Sequence, residues 1–159
     1  MRKETIKKEW HFDFDFSVTT GEVLGRFLQG LQQKKFLGNQ IESHTFFPPK
    51  PFYERTLQIP DKWVECDGTG IVEAFTICCK DENSINYPKA EKRPKVPYVV
   101  GVIRVGNSEQ CLIHYLSGFG KDDPRELSEK IQIGMKVQPV WARERTGVIF
   151  DIEYFEPIK

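Results

Sequence analysis

The sequence lacks features that several common protein classes require. No stretch approaches the roughly 20 consecutive apolar residues of a membrane span. The basic first residues are followed by no apolar core or cleavage signal of a secretory leader, so we expect a cytoplasmic protein. Lys and Arg total 23 and Asp and Glu also total 23 among 159 residues, so no net charge attracts a polyanion. We therefore expect neither a membrane protein nor a general binder of nucleic acid.

Cysteine and histidine are too few and too scattered to indicate a metal site. The four cysteines contain no CxxC pair, and only three histidines accompany them. We interpret the cysteines as free thiols of a reducing compartment. The adjacent Cys78 and Cys79 point to opposite sides of a predicted strand, and the sequence leaves their reactivity open.

No combination of residues predicts catalysis. His11 lies beside two aspartates on the polar side of an alternating segment, and a solvated strand face explains this arrangement. His114 lies in an apolar strand pattern three residues after Cys111. Positions three apart on a strand point to opposite faces, so these two residues cannot form a Cys/His dyad. We predict no catalytic residue in this chain.

The beginning of the chain predicts a strand followed by a helix. One Trp and three Phe alternate with polar residues over positions 10–16, as expected of a strand with one apolar side. Thr19 and Glu22 have the spacing of a capping box, and the apolar residues after them recur at helical intervals. We expect a helix over about residues 20–35, with Gly38 as its C-terminal stop.

Residues 39–60 predict an irregular, extended segment. It holds four prolines, which fix the backbone φ and remove hydrogen-bond donors. It also holds four aromatic rings, more than a loop of this length can bury alone. The segment is therefore either a surface loop or a recognition element.

The remaining hundred residues predict a mainly β domain. Short strands are separated by glycine-containing corners and a hairpin turn at 106–109, and a short helix near 125–129 precedes the last strands. This order is typical of a five-stranded Greek-key barrel of the OB-fold type, with an SH3-like barrel or a small sandwich as the alternative. The predicted strands are 63–65, 70–77, 98–105, 110–116, 133–142 and 148–155.

The dense basic run of the chain lies between two of these strands. Lys89, Lys92, Arg93 and Lys95 occur there among three prolines. A solvated loop explains this run, and the alternative is an arm that contacts the phosphates of a nucleotide-like ligand.

Three stretches resemble one known family. The first is FLQGLQQKKFLG followed by TFFPPKPFYERT, the second is GTGIVEAFTI leading to PYVVGVIRV, and the third is IQIGMKVQPVW with a closing FEP. Together they resemble the acyl-CoA-associated OB-fold proteins with a rubredoxin-like zinc ribbon, small subunits that accompany thiolases and related enzymes. The resemblance covers most of residues 20–157. It implies three parts: an N-terminal strand and helix (1–38), a zinc-ribbon-like segment (39–60) and an OB-fold domain (61–159).

The zinc-ribbon-like segment departs from the family pattern. Residues 53–56 stand where the second Cys pair would be, and residues 39–44 also lack cysteine. His44 and Glu42 are too few ligands for a structural zinc, which takes four. We therefore predict a degenerate ribbon without metal or other cofactor, held by aromatic packing or by a partner.

The resemblance implies a non-catalytic accessory subunit. It would bind a thiolase-like or other acyl-CoA-processing enzyme and help to form its acyl-CoA site, with a CoA thioester as possible ligand. The alternative is an OB-fold module that binds single-stranded nucleic acid. Partner contacts are predicted at Phe46, Phe47, Pro48, Pro49, Phe52 and Tyr53, and ligand contacts at Lys50, Arg55, Lys92 and Arg93.

Overall fold

A computed structural model describes residues 10–11, 13–15, 19–79, 94–120 and 123–158. Within these residues the strands form a three-stranded sheet and a closed barrel. No helix among them is long and apolar enough to cross a membrane. In chain order the elements are α1 (Gly21–Gln32), β1 (Leu37–Ile41), β2 (His44–Phe46), β3 (Lys62–Glu65), β4 (Gly70–Cys78), β5 (Tyr98–Val105), β6 (Leu112–Leu116), α2 (Pro124–Lys130), β7 (Lys136–Trp141), a 3-10 helix (Ile149–Asp151) and β8 (Ile152–Pro157).

The predicted N-terminal strand is not formed by the residues that the structure describes. Residues 10–11 and 13–15 belong to no helix or strand, because none of the described strands pairs with them. Phe12 and Phe16, which belong to the same prediction, lie outside the described residues.

Helix α1 confirms the predicted helix but differs from it at both ends. Its N-cap is Thr20, and no side chain caps the first turn, so the predicted capping box between Thr19 and Glu22 is wrong. The helix ends at Gln32, and the backbone then reverses at Lys34, which has a φ of 62°. Helix α1 therefore ends without a glycine at its C-terminus.

Strands β1, β2 and β3 form an antiparallel sheet in the order β2-β1-β3, which we call the ribbon-like sheet. Ile41 pairs with His44, so a two-residue turn joins β1 to β2, and Glu42 adopts a φ of 54° in that turn. The prediction of an irregular segment is therefore wrong for residues 39–46. It is confirmed for residues 47–60, which form no helix or strand.

Gly38 lies inside β1 instead of ending the helix, so that prediction is wrong. A Cβ at this position would stand 2.6 Å from the carbonyl oxygen of Phe46, so glycine allows β1 and β2 to approach each other. Strand β3 pairs with β1, with Trp63 opposite Asn39. The pairing thus places residues 62–65 in the ribbon-like sheet, although the predicted OB-fold domain starts at residue 61.

The remaining strands close into a barrel in the order β4-β5-β6-β8-β7. Antiparallel ladders join its neighbours, except for a parallel contact between β6 and β8. Helix α2 lies between β6 and β7 and starts after Asp123, whose side chain accepts hydrogen bonds from two backbone N–H groups of the first turn. This arrangement confirms the five-stranded OB-fold barrel.

Two predicted barrel strands are shorter than expected. Strand β7 begins at Lys136, because Gly134 turns the preceding backbone with a φ of 87°. Strand β8 begins at Ile152, because residues 149–151 form a 3-10 helix.

One hydrophobic core joins the N-terminal part to the barrel. Phe36, between α1 and β1, packs edge-on against Phe47 with ring centroids 5.0 Å apart. The same ring lies 5.1 Å from the Trp141 ring of β7 and 6.2 Å from the Phe155 ring of β8. The Phe27 ring of α1 also packs against Phe47, with ring centroids 5.5 Å apart. The ribbon-like sheet and the barrel therefore bury their aromatic rings together.

Candidate functional site

A cleft of about 740 Å³ lies beside β5 and β6, under the loop that joins β7 to β8. Its volume falls in the range of small-molecule sites. OB-fold barrels bind ligands at this place, on their second and third strands and the adjacent loops. The cleft is lined by Pro94, Lys95, Pro97, Tyr98, Val99, Tyr115, Leu116, Ser117, Gly118, Phe119, Gly120, Leu127, Ala142, Arg143, Phe150, Glu153 and Tyr154.

Aromatic rings form one wall of the cleft. Tyr98 of β5 meets Tyr115 of β6 edge-on, with ring centroids 5.7 Å apart. Phe150 of the 3-10 helix lies nearly parallel to Tyr115, at 18° and with centroids 6.4 Å apart. Phe150 is 39% exposed, a large fraction for such a ring. Such exposed rings are the groups on which planar ligands stack.

The loop between β7 and β8, residues 142–151, is held by one buried carboxylate. Asp151 is 1% exposed. Its two oxygens accept hydrogen bonds from the backbone N–H groups of Thr146 (3.0 Å), Gly147 (2.8 Å) and Val148 (3.3 Å). Hydrogen bonds to a charged acceptor are the stronger kind, so the loop has a defined shape without a ligand.

Arg145 ties the same loop to helix α1. Its Nε donates to the Gln32 carbonyl oxygen at 2.9 Å, and the Gln32 side-chain amide donates back to the Arg145 carbonyl at 3.4 Å. A second guanidinium nitrogen donates to the Ala142 carbonyl at 2.8 Å. These hydrogen bonds thus anchor the loop between β7 and β8, which forms part of the cleft wall, to helix α1.

His114 supports Phe150 from beneath. It is 5% exposed, and its Nδ1 accepts a hydrogen bond from the Tyr115 N–H at 2.9 Å. The proton therefore lies on Nε2, which donates to the Ile149 carbonyl at 3.3 Å. Burial lowers the pKa of His114, so the ring is neutral at neutral pH. This histidine fixes the loop and does not face the cleft.

Two cationic side chains stand at the rim of the cleft. Lys95 and Arg143 are both exposed and line it from opposite loops, and the exposed Glu153 provides the one carboxylate among the lining residues described. Lys130 of α2 donates to the Phe119 carbonyl at 2.9 Å. The rim can therefore attract an anionic group without any net charge on the whole chain.

The predicted partner-binding rings divide into two groups. Phe46 and Phe47 are 2% and 0% exposed, so these two rings are buried within the chain and are not on the surface as the predicted partner contact requires. Helix α1 and the barrel cover Phe47, and Tyr53 covers Phe46 with ring centroids 5.5 Å apart. Phe52 is 45% exposed. Pro48, Pro49 and Tyr53 are half-buried.

Of the predicted ligand-binding cations, Lys50 and Arg55 do not line the cleft. Lys50 donates to both carboxylate oxygens of Glu54, at 2.9 and 2.8 Å, and this bond lowers the pKa of Glu54. The ammonium of Lys50 also lies 5.0 Å from the Phe46 ring. Arg55 is exposed in the same segment. Lys92 and Arg93 lie outside the described residues, which resume at Pro94 beside the cleft.

The ribbon-like sheet does not present a zinc site. The His44 ring stacks on Tyr53 with centroids 5.8 Å apart, and its Nδ1 is hydrogen-bonded to the Glu109 carboxylate. In the described ranges no three His, Cys, Asp or Glu side chains are placed to hold one metal ion. The donors present therefore do not fit a tetrahedral zinc.

Backbone and side-chain hydrogen bonds fasten this region to the barrel. The Ser108 hydroxyl accepts from the Phe47 N–H at 2.8 Å and contacts the Phe47 carbonyl oxygen at 3.1 Å. Gln110 donates from its amide to the Pro48 carbonyl at 2.9 Å. These hydrogen bonds therefore hold residues 47–60, the proline-rich segment, against the turn between β5 and β6.

Sequence reasoning missed the cleft. Its rings come from two strands and a loop that are far apart in sequence. The available signal was the alternation in the predicted hairpin, which puts Tyr98 and Tyr115 on the outer face of neighbouring strands.

The strand order, the helix between the third and fourth barrel strands, and an aromatic cleft beside the second and third strands define an OB-fold protein. The chain belongs to the family of the ChsH2 C-terminal OB-fold domain, whose sequence model matches residues 63–142, just over half of the chain. This match confirms the resemblance to acyl-CoA-associated OB-fold proteins. No curated protein sequence matches the chain.

Two solved structures share the fold. One is a protein of unknown function from the DUF35 family of Sulfolobus solfataricus, with 22% identity and a TM-score of 0.56, covering 76% of this chain and 78% of that one. The other is the Ltp2-ChsH2(DUF35) aldolase, with 21% identity and a TM-score of 0.56, covering 83% of this chain and 91% of that one.

Proposed function

We propose that this chain is a non-catalytic accessory subunit that binds a thiolase-like or other acyl-CoA-processing enzyme and contributes to its acyl-CoA site. The observation that carries the proposal is the cleft on a ChsH2-family barrel. Its aromatic wall suits a planar group, and Lys95 and Arg143 suit phosphates. A CoA thioester carries both a planar base and phosphate groups.

The partner part of the proposal is supported by a relative and by exposed apolar side chains. One solved structure with this fold is named as an aldolase, Ltp2-ChsH2(DUF35). In this chain Phe52, Leu57 and Ile59 are 45%, 74% and 78% exposed within one loop, residues 51–60. Large apolar side chains in this number on one loop are typical of a protein interface. We place the partner contact on this loop, with Phe52 retained from the sequence prediction.

The non-catalytic part of the proposal is supported by the chemistry of the cleft. Its lining among the described residues contains no histidine or cysteine, and its one carboxylate is exposed. A general acid or base needs a tuned pKa close to the reacting group. We assign that chemistry to the partner enzyme.

Co-expression with thiolase-fold and aldolase partners from the same source tests this function. We expect a stoichiometric complex on size-exclusion chromatography and micromolar or tighter binding of acyl-CoA to it. The double variant Phe52→Ser, Leu57→Ser should weaken the complex at least about tenfold. Ile133→Ser, at a side chain that is 70% exposed in the turn before β7, serves as the control and should have no effect. Failure to bind any such enzyme, or equal loss in the control, would contradict the proposal.

Single-stranded nucleic acid is the second candidate ligand. The rings of the cleft favour it, because bases stack on such rings in OB-fold proteins. Binding that weakens steeply with salt and grows with oligonucleotide length would favour this function over the first.

A further inference from the structure

We infer that the cleft holds a purine nucleotide, the adenosine phosphate end of the CoA thioester, with the base on the Tyr115 and Phe150 rings. This inference rests on the proposed function and names the part of the ligand that the cleft selects. The acyl end then lies outside the cleft.

The Tyr115 and Phe150 rings share nearly one orientation. Tyr115 and Phe150 are 18° from parallel, so a planar group that lies on one ring is nearly parallel to the other. Tyr98 supports Tyr115 edge-on at 5.7 Å and limits its rotation. A purine has the large flat face that such rings bind, whereas a flexible acyl chain gains nothing from ring orientation.

The exposure of the cleft favours a base over an acyl chain. Phe150, Lys95, Ser117 and Arg143 are exposed side chains of its lining. An acyl chain in this cleft would remain partly in water and would lose much of the free energy of burial. A base keeps its polar edges in contact with water or with tyrosine hydroxyls while its face is covered.

The charges of the cleft favour a phosphate beside that base. Lys95 and Arg143 stand on two different loops of the rim, and neither forms an ion pair with another of the residues that the structure describes. By contrast, Lys50 of the ribbon-like segment is already paired with Glu54. The cations at the rim are therefore better placed to meet a ligand phosphate than Lys50.

The wall of the cleft is rigid enough to select a shape. Asp151 binds three backbone N–H groups of the loop that carries Phe150. His114 holds the Ile149 carbonyl next to the same ring. In the loop after β6, Gly118 and Gly120 have φ of 87° and 91°, backbone conformations that glycine adopts without strain. A wall that is formed in advance binds with a smaller loss of conformational entropy.

Isothermal titration of the full chain, alone and in complex with its partner enzyme, tests the inference. The ligands are adenosine 3′,5′-bisphosphate, phosphopantetheine without the nucleoside, and whole CoA. We expect the bisphosphate to bind and phosphopantetheine to bind much more weakly. Phe150→Leu should lower affinity for the bisphosphate about tenfold, while Phe150→Trp retains it. Phe14→Leu is the matched control, since that ring is 73% exposed and does not line the cleft, and it should change nothing.

The outcomes separate this inference from the proposed function. If CoA binds but the bisphosphate does not, or if Phe150→Leu binds it normally, the base lies elsewhere and the inference is wrong while the proposed function stands. If neither CoA nor the bisphosphate binds to the chain or the complex, both are wrong. Should Phe150→Leu fail to fold, loss of binding in Phe150→Trp, whose ring still stacks, would overturn the inference as well.

Discussion

The rings of Phe46 and Phe47 are buried, whereas the Phe150 ring of the cleft is exposed. Phe46 and Phe47 are 2% and 0% exposed although they lie at the end of a short edge strand and precede two prolines. Phe150 is 39% exposed although it lies in a loop with many internal hydrogen bonds. The comparison teaches that the elements packed around a ring decide its use, and that local composition does not. In this chain Phe46 and Phe47 stabilise the fold, and Phe150 is exposed at the cleft.

Removing the buried ring is the strongest test of this contrast. Phe47→Ala should reduce the free energy of unfolding by about 3–5 kcal/mol, because it leaves a cavity among Phe27, Phe36 and the barrel. Phe52→Ala should cost no more than about 0.5 kcal/mol, because that ring is on the surface. Urea denaturation followed by tryptophan fluorescence measures both. Similar losses for the two variants would show that Phe47 is not part of the core.

The second-largest loss of stability is expected from removing Asp151, the buried carboxylate of the loop between β7 and β8. Asp151→Ala should cost about 2–3 kcal/mol, because three backbone N–H groups lose a charged acceptor. Asp123→Ala, at the exposed N-cap of α2, should cost about 1 kcal/mol and serves as the comparison. Amide hydrogen exchange should rise in residues 146–148 for Asp151→Ala alone. Unchanged exchange there would contradict the role of Asp151.

The link between the two regions should have a smaller effect. Ser108→Ala should reduce stability by about 1–2 kcal/mol, because the buried Phe47 N–H loses its acceptor. Ser128→Ala removes a hydroxyl on the exposed side of α2 and should change stability by less than about 0.5 kcal/mol. Thermal unfolding compares the two. An equally small change in both would mean that the Ser108 hydroxyl does not hold the proline-rich segment.

The smallest expected effect is a pH dependence from His114. Burial lowers its folded-state pKa below the usual 6.5, so the unfolded chain takes up the proton first as the pH falls. The contribution of neutral His114 to stability is therefore complete above about pH 6.5 and declines below it. His114→Gln should flatten the decline below about pH 6.5 in denaturation experiments. A variant with the same slope as the wild type would contradict this assignment.

Much of the barrel could be predicted, because its strands alternate and its turns are rich in glycine. The β1–β2 hairpin could not, since its turn uses Glu42 at a φ of 54° instead of the usual Asn or Gly. The burial of Phe47 depends on α1 and on strands from the far end of the chain. The cleft depends in the same way on residues brought together only by barrel closure. Local pattern predicts elements, and contacts between distant elements determine the site.

The Phe36 ring touches Phe47, Trp141 and Phe155, so the two sheets share one set of buried contacts. A fragment that starts at residue 61 would leave the Trp141 and Phe155 rings without their cover and would aggregate or misfold. The chain should consequently melt in a single cooperative transition. If evolution transferred the barrel alone to another protein, that protein would have to supply other side chains to cover the Trp141 and Phe155 rings.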